Sequence, residues 1–265
     1  MDAVQSSAAS NRLRQCRPHL NDNNAYAPIP VLNRRLPLGF GRLLSAVLLA
    51  CVFVTVMTSQ ANAARTSGLR HVVVVGDSIT ALAAGSIHGA LDSRYQDVLV
   101  YQYGRTIDQM LPGLKLELAK HKPVFAVVEN LGTNDALQGG RHPDWQSSWT
   151  QLLKSTAHVP CVVLTTINPI SDLYGKQLVA SRQLVASEIN LKIRTLAKSN
   201  PARYKIVDWN ALVTELLHEN ATLYRYLQLD AIHEKPAGAE WIAAEDRAAL
   251  SDCGSPVEPS VIPPK

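Results

Sequence analysis

The stretch "HVVVVGDSIT", residues 71–80, decides how the rest of the chain is read. Four consecutive valines, Val72 to Val75, suit a strand covered on both faces, as in a parallel sheet flanked by helices. Gly76-Asp77 then reads as a turn, and Ser78 stands where a helix would begin. A serine there is commonly an N-cap, its hydroxyl accepting a backbone N–H. The lip of a strand also suits a nucleophile. Taken alone, the stretch favours the cap.

Working outward, short apolar runs alternate with longer amphipathic ones. Strands are expected at "HVVVV" (71–75), "DVLVYQY" (97–103), "VFAVVENL" (124–131), "CVVLTTI" (161–167) and "YKIVDW" (204–209). Helical spacing occupies 79–94, 105–121, 144–156, 176–199 and 237–250. In the fourth of these, Leu178, Val179, Leu184, Val185, Ile189, Leu191, Ile193 and Leu196 predict a broad buried face. Strict alternation of strand and helix implies a parallel sheet between helices, a three-layer α/β/α domain. Such folds collect their working groups on loops beyond the carboxyl ends of the strands.

Those loops carry a recurrent chemistry. After the first strand comes Gly76-Asp77-Ser78, after the second Gly104-Arg105-Thr106, and after the third Gly132-Thr133-Asn134-Asp135. Asp230 stands three residues ahead of His233 in "LDAIHEKPAG", before the last helix. Serine catalysis needs a base for the hydroxyl proton, a carboxylate to orient that base, and donors for an oxyanion. The Asp-x-x-His spacing brings a carboxylate to the imidazole nitrogen that does not face the serine. Gly104 lets its N–H approach a ligand without a Cβ in the way, and Asn134 brings an amide donor. The N–H of Ser78 sits in the favourable field of a helix N-terminus. Singly, each residue has a plainer reading: a cap, a turn glycine, a turn Asn-Asp, a surface histidine. Together and in this order they favour the nucleophile.

"GDSIT", the glycine of "YGRT", "GTND" and "DAIH" resemble the four blocks of the SGNH hydrolase superfamily, the GDSL esterases and lipases, here of an exported bacterial type. The resemblance spans roughly 71–250. It implies a flavodoxin-like sandwich with a five-stranded parallel sheet. It also implies Ser78 as nucleophile, His233 as general base, Asp230 as its orienting acid, and an oxyanion hole of Ser78, Gly104 and Asn134. Asp208, at the end of the fifth strand, is the lesser candidate for the acid. Many relatives carry His-Pro-Ser/Thr where this chain has His233-Glu234-Lys235, while Gly238 keeps the closing glycine. A charged carboxylate at Glu234 would raise the pKa of the neighbouring imidazole.

Composition narrows the partners. The 265 residues carry a net charge of +4, but residues 1–70 hold eight Arg against two Asp. That leaves 18 basic against 20 acidic residues in 71–265, so the domain gives no reason to expect a nucleic-acid partner. In the basic leader, Arg34, Arg35 and Arg42 precede the apolar run "LLSAVLLACVFVTVM", 43–57, and then Ala61-Asn62-Ala63. This reads as a signal peptide ending at residue 63, with an uncleaved membrane anchor as the alternative. Export to the periplasm, cell envelope or medium follows, with residues 64–252 as the hydrolase domain and 253–265 as a Pro-rich tail. Any membrane contact would run through the N-terminal segment alone. In an oxidising compartment Cys161 and Cys253 either pair or serve as one buried and one tail cysteine.

Other chemistries lack their motifs. No Gly-x-Ser-x-Gly elbow surrounds any serine, and "GFGRLL" (39–44) lacks the last glycine of a dinucleotide fingerprint. There is no His-Glu-x-x-His or Cys-x-x-Cys, so neither metal nor cofactor is expected. The expected substrate is a small-molecule, glycan or lipid ester with a short O-acyl group. The alternative is O-acyl transfer to cell-wall glycans through the same triad. The absence of an appended acyl-donor membrane domain favours hydrolysis. Tyr224, Tyr226 and Trp145 are read as packing residues ahead of sugar-stacking ones.

Overall fold

The computed structural model describes residues 68–138, 144–169, 179–220, 222, 230 and 232–253. The leader, the end of the tail, Tyr224 and Tyr226 lie outside the described residues.

Strand β1 (Arg70–Gly76) is followed by α1 (Ser78–Leu91), β2 (Tyr95–Tyr101), α2 (Ile107–Lys120) and β3 (Val124–Asn130). Then come α3 (Thr133–Gln138), α4 (Trp145–Ser155), β4 (Cys161–Thr165), α5 (Ala180–Ser199), β5 (Tyr204–Val207), α6 (Trp209–Glu219) and α7 (Pro236–Ser251). The strands form one sheet of five in the order β2-β1-β3-β4-β5, every pair parallel. This is the expected flavodoxin-like order, in which the chain reverses direction across the sheet at β1 and β3.

The valine run explains itself by the two-residue period of a strand. Val72 and Val74 enter a core under α1 and α7, with Ile87, Leu91, Ala243 and Leu250. Val73 and Val75 face the opposite core, with Leu114, Leu152 and Ile189 of α2, α4 and α5. All four valines are fully buried. Each contributes about 1.5–3 kcal/mol of hydrophobic stabilisation, which a polar substitution on either face would forfeit. Trp145 is buried in the second core, the packing role expected of it.

Three sequence expectations shift. Strand β2 runs Tyr95–Tyr101 rather than 97–103, because its register against β1 pairs Arg70 with Tyr95 and ends at Gly76 with Tyr101. Tyr95 is buried and stacks on Phe125 at 6.0 Å, whereas Tyr103 is exposed in the loop beyond the strand. Helix α6 was not foreseen, although Trp209, Leu212, Val213 and Leu216 form a buried stripe at helical spacing. Helix α5 buries a narrower face than expected: Val185, Ile189 and Ile193 are covered, and Val179 at its N-cap, Leu184 and Leu191 are exposed.

Cys161, at the start of β4, and Cys253, just past α7, form a disulfide with a Cα–Cα distance of 5.8 Å across 92 residues. Of the two readings left open by the sequence, the structure carries the paired one. The bridge ties the end of the last helix to β4, the strand next to the β5 edge. Replacing both cysteines by serine should lower the unfolding free energy by about 2–4 kcal/mol. Urea melts with and without reductant check this: reductant should lower the wild-type midpoint and leave that of the double variant unchanged.

Candidate active site

The adjacent carboxyl ends of β1 and β3, where Gly76 pairs with Asn130, launch two of the sequence-predicted loops side by side. The β2 end lies on the other flank of β1, with Tyr101 paired to Gly76, and leads into the loop carrying Gly104. Gly76 has to be a glycine, since a Cβ there would lie 1.8 Å from the Thr80 hydroxyl oxygen. Gly104 adopts a φ of +70°, a left-handed conformation that favours glycine, and it is exposed.

The cap of α1 belongs to Asp77, whose Oδ1 accepts from the N–H of Ile79 at 3.0 Å. Ser78 is the first helical residue, and its hydroxyl is therefore free of the capping role. Its Oγ lies 3.0 Å from His233 Nε2. His233 Nδ1 lies 2.9 Å from Asp230 Oδ2. Asp230 Oδ1 in turn accepts the backbone N–H groups of Ile232 and His233 at 2.7 and 2.6 Å. Burial works to raise the Asp230 pKa, but the His233 side chain and these two N–H groups outweigh it and hold the carboxyl below its ordinary value. A hydroxyl, an imidazole and an ionised carboxylate thus stand in line, the arrangement that lets an imidazole take up a hydroxyl proton. The Asp-x-x-His spacing delivers the imidazole–carboxylate contact locally, while Ser78 and His233 meet across 155 residues of chain.

Asp208, the lesser candidate for the acid, is committed elsewhere. It caps α6 through Ala211 N–H at 3.1 Å, accepts from Thr166 at 2.9 Å, and takes a two-point contact from Arg194 at 2.8 and 3.1 Å. Asn134 is drawn into the site by the residue beside the serine: its Nδ2 donates to Asp77 Oδ2 at 2.8 Å.

Sequence reading missed the carboxyl groups beneath these residues. Asp135 is buried, and its Oδ2 accepts the N–H of Ile107 at 3.1 Å, so the Asn134 turn is tied to the start of α2 just beyond the Gly104 loop. Glu129, buried at the end of β3, accepts from Leu131 N–H at 3.0 Å, and burial holds its pKa well above the usual range. Burial pushes Asp77 up to about 6, against the pull of Ile79, Asn134 and His233. Glu129 falls within a strand expected to be covered on both faces, and Asp77 and Asp135 in expected turns, but nothing in the spacing showed that their carboxyls would meet.

Glu234 corrects an expectation. Its side chain is buried rather than solvated, and burial, with Asp77 and Asp230 nearby, pushes its pKa up to about 8. The group next to His233 is therefore largely uncharged at neutral pH.

Comparison with known proteins places the fold in a family. A family model described as "GDSL-like Lipase/Acylhydrolase family" matches residues 74–241, a span that holds Ser78, Gly104, Asn134, Asp230 and His233. The chain belongs to this family. A search of curated proteins finds no match. Among solved structures, a GDSL-like lipase from Bacteroides thetaiotaomicron is similar at 18% identity and a TM-score of 0.55, over 73% of this chain and 95% of that one. An acetylxylan esterase from Geobacillus stearothermophilus aligns at 18% identity and a TM-score of 0.52, over 70% and 97% of the two chains. The catalytic domain of a peptidoglycan O-acetyltransferase from Streptococcus pneumoniae aligns at 17% identity and a TM-score of 0.51, over 69% and 93%. At these identities the GDSL-family fold is what is shared.

Glu234 yields a stability prediction. Because its folded pKa is raised from 4.5 to about 8, the stability of the neutral buried form is full below about 4.5 and is lost as pH rises through about 8. Glu234→Gln should match wild type in melting temperature at pH 4.5 and exceed it increasingly up to pH 8.5. Paired thermal melts across that range check the sign.

Proposed function

We propose that the chain is a serine esterase that removes short O-acyl groups, with Ser78 as nucleophile, His233 as general base and Asp230 as its orienting carboxylate. The observation that carries this reading is the continuous contact from Ser78 Oγ through the His233 ring to Asp230, at 3.0 and 2.9 Å. In the first step Ser78 Oγ bonds to the carbonyl carbon while its proton passes to His233 Nε2. The carbonyl electron pair moves onto oxygen, facing the N–H groups of Ser78 and Gly104 and the amide of Asn134. Collapse of this intermediate expels the alcohol, which takes the proton from His233. Water then repeats the sequence, deprotonated by the same imidazole, and releases the carboxylic acid and free Ser78.

The same acyl-enzyme would transfer its acyl group if a sugar hydroxyl replaced water. Export supports an envelope or extracellular ester as substrate. It rests on the Arg-flanked apolar run at 43–57 and Ala61-Asn62-Ala63, and agrees with a disulfide suited to an oxidising compartment.

Hydrolysis of p-nitrophenyl acetate, butyrate and palmitate by the full chain tests the reading, with the acetate or butyrate expected to be preferred. Ser78→Ala should lower kcat at least about 10³-fold and abolish labelling by a fluorophosphonate. Equal hydrolysis by both forms, or a label on another serine, overturns it. Acetyl release that requires a glycan acceptor would move the activity to transfer. Asp230→Asn should cost about 10²–10⁴ in kcat, while Asp208→Asn should stay within about threefold of wild type. Steady-state kinetics on the acetate ester distinguish the two acids.

A further inference from the structure

Asp77 is a buried carboxyl that the proposed reaction does not use. Its two oxygens have different partners: Oδ1 takes the Ile79 N–H at 3.0 Å and Oδ2 takes Asn134 Nδ2 at 2.8 Å. The first contact is a helix cap, for which serine or asparagine serves as well as aspartate. The cap therefore gives no reason to keep a charge at a fully buried position, where desolvation is costly.

The second contact does need the charge. The carboxamide of Asn134 has a donor end and an acceptor end of nearly equal size, and either fits the same space. An ionised carboxylate only accepts, so it admits only the NH2 end. One of the two N–H bonds is thereby used, and the other remains for an oxyanion formed at the neighbouring Ser78. A neutral or protonated partner at 77 offers an O–H or N–H, which would attract the carbonyl end of Asn134. The acceptor would then face the oxyanion and repel it.

We propose that Asp77 is a positioning residue that holds the Asn134 amide in its donor orientation for the oxyanion. The proposal rests on the esterase reading. Around Asp77 stand the titratable groups of every neighbouring element: Asp135 on α3, Glu129 on β3, and His233 and Glu234 before α7. Burial and the nearby acid Asp135 act against its charge, while the Asn134 amide, the Ile79 N–H and His233 favour it. The amide orientation is accordingly set by a carboxyl that titrates near pH 6.

The test is a double-mutant cycle on p-nitrophenyl acetate with Asp77→Asn, Asn134→Ala and the pair, Ser78→Ala serving as control. Asn134→Ala should lower kcat about 10²–10³-fold with KM within about threefold, as for loss of one oxyanion donor. Asp77→Asn keeps the cap and should cost nearly the same, and in the Asn134→Ala background it should cost no more than about threefold. Equal losses from Asp77→Asn in both backgrounds, or a kcat within threefold of wild type, overturn the proposal. Wild-type rates unaffected by Ser78→Ala would instead count against the esterase reading. If Asp77→Asn folds poorly, Asp77→Ser retains a capping oxygen and is expected to show the same non-additivity. A readout independent of turnover is the Asn134 side-chain amide cross-peak in 1H–15N NMR, assigned by its loss in Asn134→Ala. It should shift with pH about a midpoint near 6 in wild type and stay flat in Asp77→Asn. A peak that titrates equally in both overturns the proposal.

Discussion

The parallel pairing of β1 between two neighbours is the constraint on which the rest depends. Gly76 is matched to Tyr101 on one side and to Asn130 on the other, so three strands end at one level. Ser78, Gly104 and Asn134 lie far apart in sequence, yet each falls two to four residues past one of these ends. The ladder brings their loops to one level with backbone hydrogen bonds, and the side chains of Asp77 and Asp135 then tie the Asn134 turn in place. The valines of β1 then fix the ladder by filling a core on each face, and slipping the strand by one residue would exchange those faces. Stability and site geometry are thus set by the same seven residues.

His233 reaches Ser78 by a different device. It arrives on the segment before α7, and α7 packs along α1, whose first residue is Ser78. The disulfide holds the far end of α7 to β4, and the near end places the imidazole. Asp230 then needs only local structure: one oxygen binds two backbone N–H groups of its own turn and the other binds the ring. The carboxylate thus folds the loop and orients the base together. Asp208 shows the contrast, an acid at a strand end whose bonding is spent on Arg194, Thr166 and a helix cap.

Most of this was legible in the sequence because it follows from period and order. Alternation of strand and helix gave the layers, blocks at strand ends pointed to Ser78, Gly104 and Asn134, and the Asp-x-x-His spacing before the last helix pointed to Asp230 and His233. What stayed hidden depends on register or three-dimensional proximity. The start of β2 at Tyr95 is set by pairing with Arg70 and by the Phe125 ring, neither of which shows in the composition of the segment. Exposure of Leu184 and Leu191 reflects which face of α5 meets the sheet, and eight apolar residues could not all lie on one side. Helix α6 was masked because the strand before it ran into an Asp-Trp pair that reads equally well as strand end or helix start.

Asp77 is the instructive case, because the question raised by the sequence was posed about its neighbour. The sequence offers cap and nucleophile as alternative roles for Ser78, whereas the chain divides them between adjacent residues. With Asp77 as cap, the serine hydroxyl is released to His233, and the aspartate has a second oxygen left for Asn134. A serine cap would have consumed the one oxygen that an ester needs. The placement also concentrates acid: Asp77, Glu129, Asp135 and Glu234 are all buried around the serine end of the sheet. So many carboxyls cannot all be ionised in a shared apolar setting, and burial accordingly raises Glu129 and Glu234 into their neutral forms. Asp77 is the one among the three displaced upward that keeps two donors and a facing imidazole to support a charge. The site thus supports a buried negative charge on the carboxyl whose ionisation also orients an amide.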